Sequence, residues 1–251
     1  MGHYATTQQV WAGGLVFLRV GALVMLIPGI GESYVPPRVR LSFALLLSLC
    51  LWPIAAPTLP ALPTTLDGMV GQAIKELLIG LMMGGLLRTF LQALSVTGEV
   101  VSLQTTLAFA QTANPMEAQP GTTVATFLVL MGVTLIFATD LHHLFLSAIA
   151  HSYSLFPPAK HLPLGDAAQL EIQTVGKTFA MGIQLAAPVM AFALVFNIAT
   201  GLVGRVMPQF QIFFAAAPLA LLLGLSVFAL SLGLVGLIWL QGFETFLRLF
   251  T

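Results

Sequence analysis

The sequence predicts an all-α integral membrane protein built from long, broken helical hairpins. Charged residues make up 7% of its 251 residues and hydrophobic residues 58%, whereas a soluble domain carries about 25% charged residues. The apolar residues also form long runs without the period-two alternation of a membrane β-barrel. Backbone groups in lipid are paired internally only in helices and closed barrels, so these runs are predicted to be helices. The formal net charge of zero argues against a basic face for nucleic acid.

Two apolar runs open the chain, and neither is a simple membrane span. Residues 10–31 contain Arg19, a charge that is costly in hydrocarbon and is expected to face protein or water. Residues 41–56 are shorter than the ~20 residues that cross a bilayer. Four prolines are predicted to break this second helix repeatedly: Pro53, Pro57, Pro60 and Pro63.

The third helix is predicted over residues 69–94. Glu76, Gly80 and Gly84 recur every four residues and therefore share one helical face. Glycines at this spacing allow another helix to approach closely. We predict ordinary close packing here, with Glu76 in a buried ion pair to Lys75 or to an arginine elsewhere in the chain, because structural ion pairs outnumber functional ones.

The helix is predicted to continue over residues 96–110, where Glu99 is a further charge among apolar residues. The polar segment that follows, QTANPMEAQPGTT, cannot continue it. Asn114-Pro115 and Pro120-Gly121 stiffen this segment at two points. Between apolar helices such a loop either lines a cavity or faces water as a plain exposed turn, and the residues favour neither.

Residues 124–150 are strongly apolar as far as Asp140, His142 and His143. These three residue types suit a metal or proton site. However, adjacent histidines point to different faces of a helix, and metal-binding pairs favour an i, i+4 spacing. The spacing therefore favours a helix end that meets water or a partner. With no nucleophile–base pair or phosphate loop either, no catalysis is predicted.

After a water-compatible stretch over residues 151–177, two long runs form a predicted hairpin, residues 178–207 and 212–247. The segment GLVGRVMPQFQIFF between them has the glycines and proline of a tight bend. Arg205 lies near the end of its helix, where a cation suits the helix dipole. Prolines and side-chain amides inside these runs need protein neighbours, so much of the apolar surface is expected to meet other chains.

Four landmarks occur in one order: FLRVGALVMLIPGIGESYVPPRVR, KELLIGLMMGG, TGEVVSLQTTLAFAQTANP and TGLVGRVMPQFQIFFAAAP. In order and spacing, over nearly the whole chain, they resemble the FliR/SctT/SpaR export-gate family of type III secretion, and its flagellar branch in particular. The fourth landmark, which ends at Pro218, is the most specific.

The resemblance implies a structural and gating subunit, not an enzyme, of the flagellar protein export gate. It implies a place in the bacterial inner membrane and the flagellar basal body, without cofactor or nucleic acid. The implied partners are FliP-like and FliQ-like subunits, FlhB-like and FlhA-like export components, membrane lipid and unfolded export substrates. The implied division is a FliP-like helical portion over residues 1–175 and a FliQ-like hairpin over residues 176–251.

The resemblance also implies that a loop near residues 109–121 plugs the closed channel. The implied plug residues are Phe109, Gln111, Asn114, Pro115, Met116, Gln119, Pro120 and Gly121. Subunit packing and structural roles are expected for Arg19, Glu76, Gly80, Gly84, Glu99, Gly204, Arg205, Pro208, Gln209 and Pro218. Thr105-Thr106 departs from the family pattern, which has a glycine-containing stretch before Ala108, and this leaves the borders of the plug open.

Three alternatives remain beside the flagellar export gate. An injectisome export-gate subunit shares the same motifs. A small-solute or ion transporter would also have broken helices and intramembrane charges, but it predicts an internal repeat, and no convincing repeat is present. A membrane enzyme that uses Asp140 and the two histidines ranks last.

Overall fold

The computed structural model of this chain describes residues 6–32, 34–108, 122–158, 164–207 and 212–250. The helices follow in the order α1 (Thr7–Val24), α2 (Pro37–Ala55), a 3₁₀ turn (Ala56–Thr58), α3 (Leu66–Gln104), α4 (Thr123–Ala138), α5 (Leu141–Leu155), α6 (Leu164–Val206) and α7 (Ile212–Leu247). The described residues contain no β-strand. Among them, four helices are long and apolar enough to cross a membrane, or five spans if the bent pair α4–α5 counts as one. The predicted all-α membrane class is confirmed.

The helices group into two compact units. The first consists of Met1–Phe90, Thr139–Val175 and Glu244–Thr251, and the second of Leu91–Ala138 and Gly176–Phe243. The division at residue 175 that the family resemblance implies stays a prediction, because it concerns likeness to FliP and FliQ rather than compactness.

The second helix is longer than the sequence suggested. α2 begins at Pro37, which suits a first turn because a proline has no N–H to leave unpaired there. With the following 3₁₀ turn it forms a 22-residue span candidate, Pro37–Thr58, so the prediction of a run too short to cross a membrane is wrong. Pro53 lies inside α2 and does not end it. It sits in the last turn, so the helix loses the hydrogen bond to Leu49 O but ends two residues later in any case.

The next two runs compare differently with the prediction. α3 is one continuous helix of 39 residues, Leu66–Gln104, in agreement with the predicted continuation of residues 69–94 into residues 96–110. Residues 124–150, expected as one apolar run, form α4 and α5, which are separated by a break at residues 139–140. α6 begins at Leu164, inside the stretch that composition marked as water-compatible, and extends for 43 residues.

Each unit has an apolar core of its own. In the first unit α1 contributes Leu15, Val16 and Leu23, all at most 1% exposed. In the second unit Trp239 and Phe243 of α7 are fully buried and stack with ring centroids 5.0 Å apart. These cores hold in place the polar groups described next.

Candidate functional site

A buried ion pair joins three helices of the first unit. Arg19 of α1 is fully buried, and its Nε donates a hydrogen bond to Glu76 Oε2 of α3 at 2.6 Å while Nη2 donates to Oε1 at 3.1 Å. At the end of α5, Ser152 O and Phe156 O each accept a hydrogen bond of 3.0 Å from the same guanidinium. Arginine suits this position because its planar fork serves several acceptors at once. The buried pair predicted for Glu76 is confirmed, with Arg19 as its partner.

The neighbours of this ion pair enclose it. The Tyr153 ring lies 4.2 Å from Arg19 Cζ, a cation–π arrangement, and Tyr153 is only 2% exposed. Lys75, the other candidate partner of Glu76, donates instead to Pro158 O at 2.6 Å. Separating α1, α3 and α5 would leave a buried charge unpaired, so the pair stabilises this arrangement of helices.

Gly80 and Gly84 of α3 lie against the α1 segment on the same face as Glu76. A Cβ on Gly80 would overlap Arg19 O and come within 2.8 Å of Ala22 Cβ. A Cβ on Gly84 would come within 2.8 Å of Leu26 Cβ. The predicted close approach of another helix is confirmed within the chain, whereas a role of these glycines in packing between subunits stays a prediction.

In the second unit, Glu99 anchors the chain where the predicted plug segment ends. Thr122 N donates a hydrogen bond to Glu99 Oε1 at 2.8 Å, and Thr122 Oγ1 accepts one from Ala125 N at 3.2 Å. Gly98 lies so close to the Ala125 backbone that a Cβ there would overlap it. A carboxylate at a helix N-terminus is stabilised by the free N–H groups and the helix dipole. The start of α4 is therefore held against the end of α3.

The other end of the plug segment begins with a strained turn. Thr106 has φ = 62°, in the left-handed region, which is unusual for a β-branched residue. The family resemblance led us to expect a glycine-containing stretch here, and glycine adopts that conformation without strain. A cleft of about 290 Å³ lies beside Thr106, and its lining includes Asn197, Thr200 and Gly201 of α6. The lining is mostly apolar, with Thr106, Asn197 and Thr200 as its polar side chains.

Many of the predicted site residues lie outside the described residues. They include all eight implied plug residues, Phe109, Gln111, Asn114, Pro115, Met116, Gln119, Pro120 and Gly121, and two residues of the C-terminal bend, Pro208 and Gln209. Of the other bend residues, Gly204 is half-buried in α6, Arg205 is exposed near the end of α6, and Pro218 is exposed inside α7. Their part in subunit packing stays a prediction.

Asp140, His142 and His143 converge, contrary to the expectation that adjacent histidines diverge. One ligand atom from each residue lies within 4.8 Å of the others. The expectation considered only the directions in which two adjacent histidines leave a helix. Both imidazoles nevertheless reach each other, with ring centroids 4.2 Å apart, and Asp140 precedes the first turn of α5 with φ = 59°.

Comparison with known proteins assigns the family. A family model described as bacterial export proteins, family 1, matches residues 10–246. The flagellar biosynthetic protein FliR of Caulobacter vibrioides is 53% identical over 251 residues, covering all of both chains. The chain belongs to the FliR family of bacterial export proteins.

More distant FliR proteins match over most of their length. The Escherichia coli FliR protein is 29% identical over 221 residues, covering 87% of this chain and 83% of its own. The Bacillus subtilis FliR protein is 28% identical over 209 residues, covering 82% and 80%. With its membrane-span helices, this FliR family member is a membrane protein of flagellum biogenesis and protein export.

Sequence reasoning missed several residues of these sites. Thr122 was open to detection, because a threonine directly before an apolar run is a common helix N-cap. Ser152 contributes its backbone carbonyl and also its hydroxyl, whose Oγ accepts from Arg19 Nη1 at 3.3 Å, and Phe156 contributes its backbone carbonyl. No sequence pattern marks these atoms as acceptors for an arginine so far away in the chain. The position of Tyr153 against Arg19 depends on contacts 134 residues apart in sequence, which a single sequence does not encode as a motif.

Proposed function

We propose that this family member is a structural and gating subunit of the flagellar type III protein export gate in the bacterial inner membrane, at the flagellar basal body. In this proposal it forms, with FliP-like and FliQ-like subunits, the channel for unfolded flagellar substrates, next to FlhB-like and FlhA-like components. Residues 1–175 then correspond to the FliP-like portion and residues 176–251 to the FliQ-like hairpin.

The main support for assembly with other subunits is the length of the exposed apolar surface on α6. Exposed large apolar side chains occur from Ile172, 72% exposed, to Val206, 80% exposed. At 1.5 Å per residue this distance is about 51 Å. The hydrocarbon core of a bilayer is about 30 Å thick, and even a helix tilted by about 40° would project about 39 Å along the membrane normal. Lipid alone therefore does not cover this surface, and other protein chains are needed.

Polar residues on the same helix support the same conclusion. Lys177 and Asn197 of α6 are both exposed, among apolar neighbours. A charge or an amide facing lipid is costly, whereas a neighbouring helix can supply acceptors and donors. Arg205, exposed near the end of α6, is proposed to contact a neighbouring subunit together with Gln209 for the same reason.

Co-expression tests the assembly. The tagged chain is expressed alone or with FliP-like and FliQ-like subunits of the same organism and then purified in detergent. With the partners we expect one stable complex, and without them degradation or aggregation. Arg205→Ala with Gln209→Ala should lower the yield of that complex, with His151→Asn, an exposed change on α5, as the control. A monodisperse, protease-resistant monomer would contradict an obligate subunit.

We also propose that residues 109–121 close the channel at rest. A pore that passes an unfolded chain is wide enough to leak ions, so its closed state requires an obstruction. The anchored ends of the segment, Glu99 with Thr122 on one side and the Thr106 turn on the other, would confine such an obstruction. Pro115 and Pro120 reduce the number of conformations to be held, while Met116 adapts to an irregular apolar wall.

Deletion of residues 111–120 tests the closure. The deletion should leave assembly intact and make cells permeable to small ions or solutes. A glycine-serine replacement of equal length separates the chemistry of the segment from its length, and it should leak as well. An assembled deletion variant as tight as the wild type would show that this segment does not seal the channel, without affecting the assembly proposal.

Of the alternatives, an injectisome role differs from the flagellar role by the system served. The matching relatives carry flagellar names, which supports the flagellar role. Restoration of motility in a strain of the same species that lacks this gene would support it further. Secretion of virulence substrates without any effect on motility would favour the injectisome instead.

A further inference from the structure

At the break between α4 and α5 lie three side chains of the types that bind metal ions, and the proposed export function assigns them no role. The His142 and His143 rings lie with centroids 4.2 Å apart and are tilted by 35°. Asp140 Oδ1 is 3.9 Å from His143 Nδ1. One ligand atom from each of the three residues lies within 4.8 Å of the others.

The backbone at Asp140 supports a special role for this residue. Asp140 is the residue before α5, yet its carboxylate makes no capping hydrogen bond, although aspartate is among the preferred N-cap residues. Its φ of 59° and ψ of 13° lie in the left-handed region, where residues other than glycine are uncommon. Strained residues of this kind cluster at functional sites and ligand clamps.

We propose that Asp140, His142 and His143 bind a divalent transition-metal ion of the Zn²⁺ class. Two imidazoles and one carboxylate suit Zn²⁺, Ni²⁺ or Cu²⁺, whereas Ca²⁺ and Mg²⁺ prefer sites made only of oxygen ligands. Three protein ligands leave a coordination position for water or for a donor from another chain.

The geometry lies within reach of coordination. Donors on one tetrahedral Zn²⁺ ion, each about 2.0–2.2 Å from the metal, are about 3.3–3.6 Å apart. The separations between the ligand atoms are at most 4.8 Å. Side-chain rotations that move these atoms by about 1 Å would bring them to that spacing. The side chains of His143 and Asp140 are 69% and 79% exposed and free to rotate, while His142 is half-buried and gives the site a fixed ligand.

Metal binding would hold the first turn of α5 together with the residue that precedes it. Asp140 lies just before α5, and His142 and His143 lie in its first turn, so all three ligands belong to the first unit. The ion would fix the Asp140 carboxylate against this turn. This inference is independent of the proposed export function.

Cobalt binding tests the site. The full chain, in the complex with its partner subunits and with a tag free of histidine, is titrated with Co²⁺, whose visible absorption reports nitrogen ligation, and then with Zn²⁺ as competitor. Asp140→Asn is the main variant, because asparagine also tolerates the left-handed conformation while it removes the charged ligand. The expected result is Co²⁺ and Zn²⁺ binding at least 10-fold weaker than in the wild type.

Matched variants make the result decisive. His142→Asn with His143→Asn should abolish the nitrogen-ligated Co²⁺ spectrum, while His151→Asn, an exposed histidine on the same helix, should leave it unchanged. A wild-type protein without that spectrum would overturn the proposal. Equal Co²⁺ affinity in wild type and Asp140→Asn, or an equal loss in His151→Asn, would overturn it as well.

Discussion

Replacing Arg19 should be among the most damaging single changes in this chain. Arg19→Ala leaves Glu76, 1% exposed, as a buried carboxylate without its partner, and it removes the donors of the Ser152 and Phe156 carbonyls. Breaking a buried ion pair from one side typically costs about 3–5 kcal/mol. This is a large part of the ~5–15 kcal/mol that stabilises a domain, so we expect little folded Arg19→Ala protein in membranes.

Two comparisons separate the ion pair from general damage. Arg248 forms an exposed pair with Glu244 at 2.8 Å, with 68% of the Arg248 side chain exposed, and such pairs contribute about 0–1 kcal/mol. Arg248→Ala should therefore be almost as stable as wild type. The double variant Arg19→Met with Glu76→Leu removes both charges together, and it should recover much of the loss because no unpaired charge stays buried.

The assay is the free energy of unfolding in detergent, measured by denaturant titration of the complex, together with the amount of folded chain in membranes. We expect Arg19→Ala to be the least stable variant, followed by the double variant and then by Arg248→Ala. Equal stability of Arg19→Ala and Arg248→Ala would refute the importance of the buried pair. A double variant less stable than Arg19→Ala would also refute it, because packing and not charge would then dominate.

Three further changes test the helix contacts and the ends of the plug segment. Gly84→Ala should destabilise the fold by about 1–3 kcal/mol through overpacking. Gly85→Ala, with open space around it, should be neutral or up to about 1 kcal/mol more stable. The same unfolding titration compares the two variants, and equal effects would contradict the close approach of α1. Thr106→Gly should stabilise the folded chain by up to about 1 kcal/mol, because it relieves the left-handed strain. Thr105→Gly, at a fully buried position, should destabilise the folded chain. The opposite order in thermal unfolding would show that the turn is not strained. Glu99→Gln should weaken its hydrogen bond with Thr122 N, just before α4, by about 1 kcal/mol. Ion leakage should rise without loss of assembly. An unchanged leak would show that the Glu99 hydrogen bond is not needed to close the channel.

Physical patterns in the sequence were sufficient for the class of the protein and for much of its local structure. The scarcity of charge alone excluded a soluble globule, because a water-facing surface needs polar side chains. The four-residue spacing of Glu76, Gly80 and Gly84 predicted a close helix contact and a buried pair, because side chains four apart always share a helical face. The family followed from ordered motifs along the whole chain.

Helix boundaries at prolines were less predictable, because the effect of a proline depends on its position in the helix. Pro37 starts α2, where its missing N–H costs no helix hydrogen bond, and Pro53 sits in the last turn, where the loss of one bond does not end the helix early. From sequence, the same residues are indistinguishable from breakers. The break at Asp140 was likewise unmarked, because a single residue in the left-handed region carries no periodic signal.

The sequence by itself determined that this chain is a helical membrane protein of an export family, since composition, periodicity and motif order are properties of the chain alone. Only the tertiary structure decided that Glu76 pairs with Arg19, 57 residues away, and that two neighbouring histidines converge on one aspartate. The physical reason is that such pairings depend on where helices cross and how the backbone turns between them. Those are properties of the folded chain, and no local pattern records them.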